Sequence, residues 1–201
     1  MTGGGHADGA PGALVDRKHA VLVVVDVQEK LAAAMPRRDE VVTNAVKLVK
    51  TAALLGMPIV VTRQYPKGLG ETVRELDEAL RAAGGAGVAV WTVDKMSFCC
   101  SKEAAFMEAL SATERDHPVI CGMETHICVA QTALDLSARG HQIQVVADAC
   151  CSRSDASHRV ALERMRDSGC QVTVAESVMY EAACVAGTDE FKALLEIVKG
   201  E

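Results

Sequence analysis

Hydrophobic positions along the chain fall into two alternating rhythms. Ala20–Asp26 (AVLVVVD) is continuous, β-branched and closed by a carboxylate, as expected of a strand buried on both faces of a parallel sheet. From Asp39 to Leu55, apolar residues recur at Val42, Ala45, Val46, Val49, Ala52 and Ala53 with a helical period, and Gly56 and Pro58 stop it. The alternation continues. Strands are predicted at Pro58–Thr62, Val88–Thr92, Pro118–Met123, His141–Ala147 and Gln171–Ala175. Helices are predicted at Glu71–Ala83, Lys102–Leu110, Thr125–Arg139, Ser154–Ser168 and Asp189–Lys199. Repeated strand–helix units of this length imply an α/β fold: three layers, α/β/α, around a six-stranded, mostly parallel, Rossmann-like sheet. Residues 1–18, rich in Gly and Ala, read as a flexible tail before a single domain over 19–201.

In such sheets ligands bind beyond the carboxyl ends of the strands. That rule selects Asp26, Thr62, Arg63, Asp94, Lys95, the run Met123–Cys128 and Asp148 for scrutiny. Asp26 closes an apolar strand, where a carboxylate must be paired, hydrogen-bonded or poised as a base. Lys95, in VDKMSF, follows the third strand and can meet Asp26 at the same sheet edge. Cys128 lies in ETHIC. If Thr125 caps the following helix, Cys128 sits in the first turn, where free N–H groups and the helix dipole would lower a thiol's pKa and could hold an oxyanion. Cys121, inside a predicted strand, is expected to be inert core. Cys99 and Cys100, near Lys95, could line the site. His126 stands two residues before Cys128 and so points elsewhere on the helix, which weakens a Cys–His pair. Gly84-Gly85-Ala86-Gly87 precedes a strand instead of opening a helix, so it reads as a turn and not as a phosphate loop.

Charge and composition narrow the classes. A net charge of −6 without a Lys/Arg cluster, and only three Phe, two Tyr and one Trp, argue against nucleic-acid binding. No apolar run approaches the roughly 18 residues of a membrane span, and no secretory leader is predicted, so a cytoplasmic location is expected. Eight cysteines without an export signal then read as reduced thiols, and without any C-x-x-C a structural zinc site is not expected.

The segments VVVDVQEKL, VTRQYPKGLGETVREL, DKMSF, CGMETHICVAQTALDLSARGHQIQVVADACCSRS and ALERMRDSGC together resemble the isochorismatase-like cysteine hydrolases over about residues 19–199. QYPKGLG and DACCSRSD point to the branch of isochorismatase domain-containing proteins. The resemblance implies a catalytic triad of Asp26, Lys95 and Cys128, a cis peptide bond at Met123–Glu124, and an oxyanion hole from the N–H groups of Glu124 and Cys128. It also implies homo-oligomers. Gln28, Tyr65 and Phe98 are the expected lining of a pocket for a small-molecule substrate. Metal-binding members carry histidines after the second strand. RQYPKGLGETVREL has none, so no metal and no other cofactor are expected. The family's vinyl-ether hydrolases lack the cysteine, so the reading is an amide-type hydrolysis through a thioester on Cys128. Two other classes stay open: a thiol-based redox or sensor protein with Cys99, Cys100 or Cys150 as resolving partner, and a non-catalytic binding module on the same fold.

Overall fold

Strands Ala20–Val25 (β1), Ile59–Gln64 (β2), Val90–Lys95 (β3), His117–Met123 (β4), Gln144–Cys151 (β5) and Gln171–Thr173 (β6) form one sheet in the order β3-β2-β1-β4-β5-β6. Every adjacent pair is parallel. The computed structural model describes residues 14–200. β1 is the centre, buried along its whole length, because six apolar residues can be accommodated only where helices cover both faces. The chain runs outward from β1 to β3 and then returns to the other side of β1 at β4. The carboxyl ends of β1 and β4 therefore flank the point where strand order reverses.

One helical layer holds Arg38–Leu55 (α2), Arg74–Gly85 (α4), Ala175–Ala183 (α8) and Asp189–Lys199 (α9). The other holds Ala104–Ala112 (α5), Ala130–Ala138 (α6) and Asp155–Asp167 (α7). Two short helices, Glu29–Ala33 (α1) and Pro66–Leu69 (α3), follow β1 and β2. In α2 the helical period buries Val41, Val42, Ala45, Leu48, Val49 and Ala52. Each large aliphatic side chain so placed contributes on the order of 1.5–3 kcal/mol. Gly56, at φ 69°, closes α2 in the left-handed conformation.

Several boundaries differ from expectation, each for a tertiary reason. β2 and β3 run two to three residues further, pairing Gln64 with Lys95, so Lys95 ends a strand instead of following one. β5 begins later than expected, and its pairing with β4 jumps from Ile120↔Val145 to Gly122↔Cys150, an irregularity that holds Asp148 inside the strand. Asp148 does not reach the ligand edge: its carboxylate accepts from the Ala175 amide (2.7 Å) and its carbonyl from Asn44 (2.8 Å). That long-range cap starts α8, a helix absent from the sequence prediction, and cuts β6 short. Residues 14–18, placed in the expected 1–18 tail, are held to the domain: Val15 is buried, its amide donates to Glu181 (2.9 Å), and Arg17 pairs with Glu190 (2.9 Å). Residues 1–13 lie outside the described part of the chain.

Candidate active site

Asp26 leaves β1 with φ 53°, a left-handed conformation that turns its side chain back under the sheet edge. The carboxylate is wholly buried and is held from two sides. Oδ1 accepts from the Thr62 hydroxyl at the end of β2 (2.7 Å), and Oδ2 faces Lys95 Nζ at the end of β3 (2.7 Å), both side chains of the pair being inaccessible to solvent. The ammonium also donates to Gln64 Oε1 (2.6 Å) and to the carbonyls of Ser97 (3.2 Å) and Phe98 (3.3 Å). Four acceptors around three protons leave Lys95 no freedom. They also leave Asp26 Oδ2 with lone-pair capacity for a further donor. Burial disfavours the ammonium, but the Asp26 charge outweighs it and holds Lys95 above its ordinary pKa. A buried pair of this kind survives only with its remaining hydrogen-bonding capacity satisfied, which is what Thr62 and Gln64 supply.

Gln64 is the residue of this constellation that sequence reading missed. With β2 ending at Gln64, the alternation of a strand puts Thr62 and Gln64 on one face, under Asp26 and Lys95. Arg63 and Asp94 take the opposite face and pair with each other (2.6 Å), Arg63 reaching Glu71 as well, so neither enters the site. Gln64 is itself fixed. Its amide N–H donates to Gln28 Oε1 (2.7 Å), and its side-chain NH₂ donates to the Met96 carbonyl (2.8 Å). Gln28 departs from the expected pocket role: it is fully buried, and its NH₂ is spent on the carbonyls of Gln64 (3.1 Å) and Gly70 (2.7 Å). It ties the α1 and α3 loops together and presents nothing to a substrate. Tyr65 and Phe98, the other two residues of that expectation, are exposed at 48% and 56%, as is Met96 at 67%. The Tyr65 ring lies so close over Gly68 that a Cβ there would meet it at 2.3 Å.

Cys128 enters from β4. The Met123–Glu124 peptide bond is cis, and a π-helical turn, Thr125–Val129, follows before α6. Thr125 is not the cap: Glu124 takes that position, and the Thr125 hydroxyl is turned to His158 (2.9 Å). The Glu124 carbonyl receives the amides on either side of Cys128, those of Ile127 (3.0 Å) and Val129 (3.3 Å). The thiol is 5% exposed and lies near enough to Asp26 and Lys95 to feel both charges. Burial pushes its pKa well up, the Asp26 carboxylate adds to this, and Lys95 only partly opposes it. The expected low-pKa thiolate is thus corrected. The resting thiol is neutral and sits beside a carboxylate. Cys100, fully buried beside the same pair, is pushed up to about 12 by burial. Cys121 is fully buried inside β4.

Thiol, carboxylate and ammonium thus meet at the reversal point of the sheet. The arrangement sets a proton acceptor beside a sulfur, with an ammonium that favours the charged carboxylate until a proton arrives. Cavities of about 340 Å³ beside His126 and Val160 and about 530 Å³ at the amino-terminal sheet edge both lie away from Asp26 and Lys95, so size alone would have pointed elsewhere. Among the described residues no three His, Cys, Asp or Glu side chains are grouped to hold a metal ion, and no helix is long and apolar enough to cross a membrane.

Comparison with known proteins identifies the family. The chain is 38% identical over 181 residues to isochorismatase domain-containing protein 2A of Mus musculus, covering 90% of this chain and 82% of that one. It is 37% identical over 181 residues to the secreted isochorismatase effector Isc1 of Phytophthora sojae, covering 90% and 84%. Among solved structures, the MAR1 ribonuclease of Caenorhabditis elegans superposes with a TM-score of 0.84 at 30% identity, covering 93% of each chain. YcaC of Pseudomonas aeruginosa, solved with hexane-2,5-diol and covalent acrylamide, superposes with a TM-score of 0.82 at 25% identity, covering 92% of each. The isochorismatase domain model matches residues 20–177, and with these relatives it places the chain in the isochorismatase family, in the branch of isochorismatase domain-containing proteins.

Proposed function

We propose that the protein is a cysteine hydrolase that cleaves the C–N bond of a small amide-type substrate through a thioester on Cys128. The observation that carries the reading is the solvent-free Asp26–Lys95 pair at 2.7 Å with the buried Cys128 thiol beside it. As the sulfur attacks the acyl carbon, the thiol proton passes to Asp26, so no free thiolate need accumulate, which suits a thiol whose pKa is raised. The N–H groups of Glu124 and Cys128 hold the oxyanion. The C–N bond then breaks, Asp26 returns the proton to the leaving nitrogen, and the thioester remains. Water next attacks the thioester, losing a proton to Asp26. Collapse releases the acid, and Cys128 regains its proton. Lys95 keeps Asp26 anionic at the start of each half-reaction. Tyr65, Met96 and Phe98 form an apolar rim for the acyl group.

Covalent acrylamide in the YcaC neighbour fits a fold that presents a nucleophile to a small amide-bearing electrophile. RNA cleavage, the activity in the name of the Caenorhabditis elegans neighbour, does not suit this surface. RNA binding needs clustered exposed cations, whereas Arg63, beside the mouth, is already paired with Asp94 and Glu71, and the net charge is −6. The raised thiol pKa also argues against the redox-sensor reading. The free thiols fit a reducing cytoplasm, although one relative is named as secreted, and subcellular fractionation decides. A homo-oligomer that covers the exposed Met96 and Phe98 belongs to the same reading and is tested by light scattering.

The direct test is a panel of small amides, ureides and carbamates offered to wild type and to Cys128→Ala. Turnover of at least one by wild type and none by the variant is expected, with intact mass locating a trapped acyl or acrylamide adduct on Cys128. Labelling of another cysteine while Cys128 stays free overturns the assignment.

A further inference from the structure

The segment DACCSRSD, singled out in the sequence, takes no part in the chemistry above, yet its structure is tied to the nucleophile. Each of the three residues that follow Met123 is held by one short stretch after β5. Glu124 Oε2 accepts from the Arg153 amide (2.9 Å) and from Arg153 Nε (3.1 Å). Thr125 Oγ1 is 2.9 Å from His158 Nδ1, in a buried contact. His126 Nδ1 is 2.9 Å from Ser152 Oγ, and its amide approaches the same hydroxyl at 3.4 Å.

The middle contact has a direction. His158 Nε2 faces Arg37 Nη1 at 3.3 Å, and a guanidinium only donates, so Nε2 is the acceptor. The imidazole proton therefore sits on Nδ1 and is donated to Thr125. Arg37 is oriented by a two-pronged contact with Glu40 (2.9 and 2.8 Å). Burial, and then the Arg37 charge, hold His158 below its ordinary pKa, which keeps this neutral tautomer.

We propose that Ser152, Arg153 and His158 form a clamp that fixes the turn carrying Cys128, with His158 the principal positioning residue acting through Thr125. Three contacts on three successive residues remove the freedom of the backbone that sets both the Glu124 amide and the aim of the Cys128 sulfur at Asp26. The inference rests on the reading of Cys128 as nucleophile, and its test does not depend on knowing the substrate.

The test compares the full chain carrying Thr125→Val, Thr125→Ser, His158→Leu or His158→Asn with wild type. It follows iodoacetamide alkylation of Cys128 by intact mass across pH, alongside melting temperature and turnover of any substrate found. Thr125→Val keeps the side-chain shape and removes the acceptor, and His158→Leu removes the donor. In the folded protein both should let the thiol swing away from Asp26, moving the midpoint of the alkylation profile down by about one pH unit or more. Both should also lower kcat about tenfold with little change in KM. Thr125→Ser restores the acceptor and His158→Asn the N–H donor, so both should keep the wild-type profile. If His158→Leu does not fold, Thr125→Val decides. A folded Thr125→Val protein with the wild-type alkylation profile overturns the clamp, even if turnover remains Cys128-dependent. A shifted profile in a protein that hydrolyses nothing, wild type included, upholds the clamp and sinks the hydrolase reading.

Discussion

The two ends of one sheet carry titratable side chains in opposite circumstances. At the carboxyl edge, Asp26 and Lys95 are 2.7 Å apart with no solvent exposure, and Thr62 and Gln64 take up their remaining hydrogen-bonding capacity. At the amino edge, His19 and His117 approach Asp116 at 3.5 and 3.8 Å, and the aspartate is 68% exposed. Both groups of charges arise where strands end. Water screens Asp116 and not Asp26, so only at the carboxyl edge do neighbouring charges act on one another almost unscreened. The helical turns that pack beyond the carboxyl ends create that difference.

Breaking the buried pair tests the contrast most severely. Lys95→Met leaves the Asp26 charge without its counter-ion in a dry site. It should cost about 3–5 kcal/mol in urea unfolding and abolish turnover. The double variant Asp26→Leu with Lys95→Met replaces both charges by apolar groups and should recover much of that stability while remaining inactive. A single variant that loses under about 1 kcal/mol would mean that the edge is as well screened as the other end of the sheet.

Gln64→Leu is the intermediate case. It keeps the volume and the backbone contact with Gln28 but removes the shortest acceptor of the ammonium, at 2.6 Å. The expected loss is about 1–3 kcal/mol, because beside Asp26 the ammonium keeps only the longer bonds to Ser97 and Phe98, and the Met96 carbonyl loses its donor. Turnover should fall less than in Lys95→Met, because the ion pair survives. Unchanged stability and turnover would remove Gln64 from the site.

How far these residues were legible depended on whether their partners were local. The core of β1 followed from its own composition, since no amphipathic pattern accounts for six consecutive buried apolar residues. Asp26, Lys95 and Cys128 each end or follow an apolar run, and the topology rule brought them together. Gln64 was missed because the predicted strand stopped two residues early. The extension is set by pairing with β3, which no single segment displays. α8 has apolar residues at helical spacing, but Val172 and Val174 blurred its start, and its cap comes from Asp148 on another strand. His158 looks in sequence like an ordinary residue of an amphipathic helix, and only the packing of α7 against the π-helical turn shows what it holds. The direction of the Cys128 pKa shift was misjudged for the same reason: the dipole of a helix start is visible in sequence, whereas burial beside a carboxylate is not.

The smallest expected effect lies at the exposed end and concerns pH. Burial holds His117 below its ordinary pKa, Asp116 works against that, and His19 adds to it. A histidine that binds its proton less readily when folded than when unfolded makes the unfolded chain the better proton acceptor below about pH 6.5. Stability is therefore fully present above that pH and is lost as pH falls through it. Asp116→Asn removes the larger of the two compensating anions and leaves Asp16, so the acid loss should steepen. Because Asp116 is largely exposed, the change should stay under about 1 kcal/mol and fade in high salt. His158 is depressed as well and contributes to the same slope, so the informative quantity is the difference between variant and wild type in unfolding free energy at about pH 5 and about pH 7.5. A difference near zero at high salt and a few tenths of a kcal/mol at low salt would match a screened surface cluster. A large, salt-insensitive difference would show that the amino edge is shielded from water much as the Asp26–Lys95 edge is, and the contrast between the two ends would fail.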